Sequence, residues 1–111
     1  MSFRVRYTRG ARDDLKRLYS FLLEHDVGAA VRALEAIRKA TDLLRDFPFT
    51  CRKLDDANPF LRELVVSFGG SGYVALFEIE GQQGAGVDLA DEASRYVTIL
   101  AVRHQREEDY H

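Results

Sequence analysis

Cysteine is almost absent: Cys51 stands alone in a chain of 111 residues. One thiol builds neither an intrachain disulfide framework nor a cysteine-based zinc site. Tryptophan is missing, and no apolar run approaches the roughly 18–20 residues of a membrane span. The opening MSFRVRYTRG lacks the apolar core of a signal peptide, so the expectation is a cytoplasmic protein with no membrane partner. His25, His104 and His111 lie far apart in sequence, with no HExxH spacing, so no metal site is expected. There is no P-loop and no Gly-x-Ser-x-Gly nucleophile elbow, and no cofactor is expected. Charge of one sign is also missing: 16 basic against 18 acidic residues leave a net −2. That excludes bulk electrostatic binding of nucleic acid by the whole surface, though not a local basic face.

What is present is an ordinary globular composition, 46% apolar and 31% charged, with seven Phe and five Tyr. The length fits a single domain over residues 1–111. Phe3, Val5 and Tyr7 alternate with Arg4 and Arg6, the pattern of a half-buried strand. Thr8 is placed to cap a helix, and Gly10 to punctuate a turn. From Ala11 to about Glu24 the period becomes helical, with Ala11, Leu15, Leu18 and Leu22 on one face. Gly28 marks a turn, and Asp26 is a candidate cap for a second helix over about 29–46. Its inward stripe is Ala30, Leu34, Ile37, Thr41 and Leu44, widened by Ala33, Ala36 and Ala40. Phe47-Pro48 stops it. The short connection makes the two helices an antiparallel hairpin.

Residues 48–59 read as irregular. Three strands come next, over 60–68, 73–80 and 96–103. Gly69-Gly70-Ser71-Gly72 supplies the first hairpin turn. The nearly all-apolar Tyr73–Ile79 belongs at the sheet centre. The Gly-rich, then acidic, stretch 81–94 reads as a long hairpin loop. The order β-α-α-β-β-β gives an α+β two-layer fold, a helical hairpin on a mainly antiparallel four-stranded sheet.

The chemistry concentrates at the end of the last strand, in Arg103, His104, Arg106 and Tyr110. Arg, His and Tyr together can bind phosphate, move protons and stack on a base. A solvated polar tail is the competing reading. Between Arg4 and Arg17, six basic residues face two acidic ones, a local +4. That stretch is either a basic face or the polar side of an amphipathic strand and helix. His25 suits a helix C-terminus, Tyr7, Tyr19 and Tyr73 fall on apolar stripes, and Cys51 reads as a small packed side chain.

VRYTRGARDDLKRLYSFL resembles the opening strand, Thr-x-x-Ala turn and first helix of the RelE/ParE toxin superfamily. AAVRALEAIRKATDLLRDFP resembles its second helix, LRELVVSFGGSGYVALFEI its central hairpin, and VTILAVRHQREEDY the closing strand and tail of the ParE-like branch. The likeness spans nearly the whole chain except the 81–94 stretch, which looks like an insertion. It implies the toxin of a type II toxin–antitoxin module, neutralised by a cognate antitoxin that would itself carry any operator binding. RelE-like members cut mRNA in the ribosomal A site, whereas ParE-like members inhibit DNA gyrase by binding. No base stands in Tyr73-Val74-Ala75, where the nuclease branch commonly places a catalytic Arg, so the sequence leans to gyrase inhibition without chemistry of its own. Arg103, His104, Arg106 and Tyr110 would form the target surface. Arg9, Arg12, Leu15 and Arg62 would meet the antitoxin. In the alternative, a ribosome-dependent endoribonuclease, Arg62 and Arg103 would hold the scissile phosphate while His104 or Tyr110 moves protons.

Overall fold

The alternation at the N-terminus becomes strand β1, Arg4–Tyr7, with Phe3 buried and Arg4 and Arg6 exposed. The computed structural model describes residues 3–81 and 95–107. Thr8 caps helix α1, Arg9–His25, its hydroxyl accepting the Ala11 N–H at 3.1 Å. Gly10 sits inside that helix, not in a turn. Asp26 alone separates α1 from α2, Val27–Asp42, and its carboxylate accepts the Ala29 N–H at 3.1 Å. Gly28 is likewise helical. The regular helix ends at Asp42, short of the expected 46, and the chain tightens into a single 3-10 turn, Leu43–Arg45.

Among the described residues the sheet has five strands, one more than expected, in the order β1-β5-β4-β3-β2. The added one is the two-residue β2, Arg52–Lys53, inside the stretch read as irregular, and it pairs with Glu63 and Arg62 of β3, Leu61–Phe68. Two residues carry no periodic signal, which is why β2 was invisible to pattern reading. Strand β4, Ser71–Glu80, lies between β3 and β5, Tyr96–His104, antiparallel to both. Among the described residues, only β1 runs parallel to its neighbour, β5. The expected loop at 81–94 lies, beyond Gly81, outside the described residues.

Phe68 and Ser71 face each other across Gly69-Gly70, and Gly69 has φ +61°. A positive φ at the first central position suits glycine. Gly72 answers a different demand: a Cβ there would stand 2.0 Å from the Val66 carbonyl oxygen.

Tyr73, Ala75, Phe77 and Ile79 of β4 share one face with Val97, Ile99 and Val102 of β5, and both helices pack on it. Burying each large side chain contributes roughly 1.5–3 kcal/mol. Ala11 and Leu18 of α1, with Ala30, Ala33 and Ile37 of α2, close the core. Leu34, expected inward, is 41% exposed, because it lies on the rim of the helix pair. The open face carries a polar ladder in which Arg6 lies over the Tyr96 ring, bonds Thr98 and pairs with Glu80.

One irregularity places the helices. Leu76 faces Ala101 and Phe77 faces Ile99, so Leu100 bulges from β5. There β1 has ended, and α1 takes over the exposed strand edge. The Thr8 hydroxyl donates to the Leu100 carbonyl at 3.1 Å, and the buried Asp14 carboxylate accepts the Val102 N–H at 2.9 Å. Main-chain groups that would otherwise be orphaned are satisfied by helix side chains.

Candidate functional site

The β3–β4 turn, the end of β5 and the second half of α1 enclose a groove of about 630 Å³. Leu18, Phe21, Leu22, Phe68 and Tyr73 form its apolar wall, and Arg17, Ser71, His104, Arg106 and Glu107 its polar rim. Phe21 is 61% exposed, an unusual place for so large an apolar ring.

His104 reaches the groove because it pairs with Tyr73 on the helix-bearing face of the sheet. Its ring stands edge-on to Tyr73, with centroids 5.5 Å apart. The Arg106 backbone N–H donates to Nδ1 at 3.1 Å. Nδ1 therefore carries no proton in this arrangement, and the Nε2–H donates to the Ser71 Oγ 3.0 Å away. A histidine whose Nε2 already donates cannot take the serine proton, so the pair is not an activated nucleophile. Glu107 ties the tail back: its carboxylate accepts from Arg17 at 3.0 Å and from the His104 N–H at 3.3 Å. Burial works to raise the Glu107 carboxyl, but its hydrogen bonds from Arg17 and the His104 backbone, with the Arg17 charge, outweigh it and hold it below its ordinary value. Burial raises the Tyr73 hydroxyl, which keeps it neutral near pH 7.

The other residues singled out from sequence fall elsewhere. Arg103 pairs with Val74 on the opposite face, and its guanidinium donates to the carbonyls of Glu107 and His104. Arg62 pairs with Phe77 on the helix face. Its guanidinium donates to the carbonyls of Pro59, Phe49 and Cys51, each at 2.8 Å, and lies over the Phe49 ring. Arg62 thus pins the segment before β3, and it does not converge with Arg103. Arg9 and Arg12 are exposed on α1, whereas Leu15 is half-buried in the seam between the helices. Arg106 is exposed at the groove rim, and Tyr110 lies outside the described residues.

Sequence reasoning missed Arg17, Phe21, Phe68, Ser71 and Glu107. Arg17 stood in the basic stretch between Arg4 and Arg17, Ser71 in the glycine turn and Glu107 just past the last strand, but none of them was marked as part of a site, and Phe21 and Phe68 gave no signal of one. His25 caps its helix end as expected: Nδ1 lies 2.9 Å from the Phe21 carbonyl, and the ring packs on Phe21. Burial pushes the Cys51 thiol up, against the lowering pull of the Arg62 charge and a Thr50 hydrogen bond, so it is not a ready thiolate. Among the described residues no cluster of His, Cys, Asp or Glu could hold a metal ion, and no helix is long and apolar enough to cross a membrane.

Residues 5–109 match the family model for the ParE toxin of the type II parDE toxin–antitoxin system. The chain is 33% identical over 81 residues to Toxin RelE1 of Caulobacter vibrioides, covering 73% of this chain and 84% of that protein. In fold it resembles a solved structure of the chromosomal ParDE system from P. aeruginosa, at 17% identity and a TM-score of 0.64, covering 93% of this chain and 96% of the other. A helical hairpin fastened to a five-stranded sheet, with matches across almost its full length, makes this chain a member of the ParE toxin family of type II toxin–antitoxin systems, within the RelE/ParE superfamily.

Proposed function

We propose that the chain, acting as one domain over residues 1–111 in the cytoplasm, inhibits DNA gyrase by binding it and performs no chemistry of its own. The observation that carries this reading is the divergence of Arg62 and Arg103. A ribonuclease needs convergent cations on the scissile phosphate, yet these two lie on opposite faces, with Arg62 donating to three carbonyls. The locked Nε2–H form of His104 argues the same way, since it leaves no base aimed at Ser71. The exposed Arg106 and the groove beside it then form the contact surface, with His104 shaping its end and Arg103 bracing the tail from behind. Tyr110, outside the described residues, is proposed as a further target contact on its chemistry alone.

Membership of the family implies a cognate antitoxin. The groove offers that partner apolar walls at Phe21 and Phe68, and acidic residues on it would meet Arg9, Arg12 or Arg106. Leu15, lodged in the seam, would support this contact from beneath. Operator DNA binding belongs to the antitoxin.

Purified toxin should stabilise gyrase–DNA cleavage complexes and leave ribosome-bound mRNA intact. A-site cleavage on translating ribosomes, lost on His104→Ala or Tyr110→Phe and without effect on gyrase, would replace this reading with the nuclease one.

A further inference from the structure

The groove is closed at one end by a turn, residues 104–107, in which the Glu107 N–H donates to the His104 carbonyl at 3.0 Å. The same turn is held by the Arg106 N–H on His104 Nδ1 at 3.1 Å. That bond exists only while Nδ1 has a free lone pair. An imidazolium carries protons on both nitrogens and donates from both, so it cannot accept the Arg106 N–H. Histidine is the side chain whose charge ordinarily changes between about pH 5 and 8. We propose that His104 is a proton-operated latch on the groove: the neutral ring holds Arg106 in place as part of the rim, and protonation releases it.

Charged groups of both signs surround the ring. Arg17 from α1, Arg106 from the turn and Arg103 from β5, whose guanidinium holds the His104 and Glu107 carbonyls, are cationic, and Glu107 is anionic. Tyr73 and Ser71 from β4 are neutral near pH 7, and Phe68 from β3 and Phe21 from α1 add only apolar surface. Glu107 is already engaged by Arg17 and by the His104 N–H, so its charge is shared. The Nε2–H···Ser71 bond survives in either protonation state, since Nε2 donates in both. Protonation therefore acts on one side of the ring: the ring stays anchored at Ser71 and Tyr73 while the turn loses its inner bond. The latch does not depend on whether gyrase or another macromolecule is the target. It makes the rim geometry at Arg106 a function of pH.

The test is an NMR titration of the full-length chain. Imidazole nitrogen shifts at pH 8 should show His104 protonated on Nε2 and bare on Nδ1. As pH falls through the His104 titration, protection of the Arg106 amide from hydrogen exchange, corrected for intrinsic rate, should drop at least threefold with the same midpoint. In His104→Asn the amide oxygen replaces Nδ1 as acceptor without titrating, so protection of Arg106 should stay level across the range. A ring carrying its proton on Nδ1 at pH 8, or wild-type protection that does not change across the ring's titration, would overturn the proposal.

Discussion

Asp14, one turn into α1, and Val102, near the end of β5, are 88 residues apart in sequence and joined by a 2.9 Å hydrogen bond. The carboxylate stands where the carbonyl of a further strand would stand. It fixes how α1 approaches the sheet, and hence where the groove opens. Asp14→Ala leaves the Val102 N–H buried and unpaired, a loss of about 1–3 kcal/mol. Asp14→Asn keeps an acceptor and should lose less. Urea unfolding of the two variants checks the order.

The β3–β4 hairpin separates two glycines with different duties. Gly72→Ala drives a Cβ into the Val66 carbonyl, whereas Gly70→Ala meets nothing within 4 Å. The first should cost more than about 2 kcal/mol, in the range of severe overpacking, and the second should fall within about 0.5 kcal/mol of wild type. Thermal melts of both variants make the comparison.

Phe21 projects into solvent at the groove wall, so Phe21→Ser removes contact surface without opening the core. Stability should change by about 0.5 kcal/mol or less. Affinity for the cognate antitoxin, measured by calorimetry, should fall roughly tenfold or more, as for the loss of an aromatic anchor.

Glu107 sits below its ordinary carboxylate value in the folded chain. A depressed carboxylate contributes stability that is fully present above its unfolded value, near 4.5, and is lost as pH falls through the lower folded value. Melting temperatures of wild type and Glu107→Gln should therefore differ at pH 7 and converge below about pH 4. Added salt should shrink the pH 7 difference, because the Arg17 pair is half-exposed.

Arg62 separates a structural role from a catalytic one. Arg62→Lys cannot reach three carbonyls with one ammonium, so it should lower stability by about 1–3 kcal/mol. Growth inhibition should fall only as far as the folded fraction falls, measured on soluble toxin. A variant that folds as well as wild type but is inert would assign Arg62 to the chemistry.

Local signals were legible. The alternation of β1, the caps at Thr8 and Asp26, the glycine turn and the central place of Tyr73–Ile79 all stem from neighbours in sequence. Long-range geometry was not. Which residue faces His104 depends on the β4–β5 register and on the Leu100 bulge, and neither leaves a local pattern. Leu34 shows the limit of helical periodicity: the stripe it belongs to is wider than the contact α1 provides. Arg62 and Arg103 looked alike as cations at strand ends, and only the register places them on opposite faces.

The early end of β1 also bears on the life of the chain before any partner reaches it. Its outer margin is a four-residue strand bearing two exposed arginines, and past Tyr7 the neighbouring backbone is occupied by Thr8 and Asp14. A margin that is brief, charged and then capped by a helix offers little template for a stray strand. On that side, newly made molecules are guarded against stacking into aggregates by the same contacts that orient the helices.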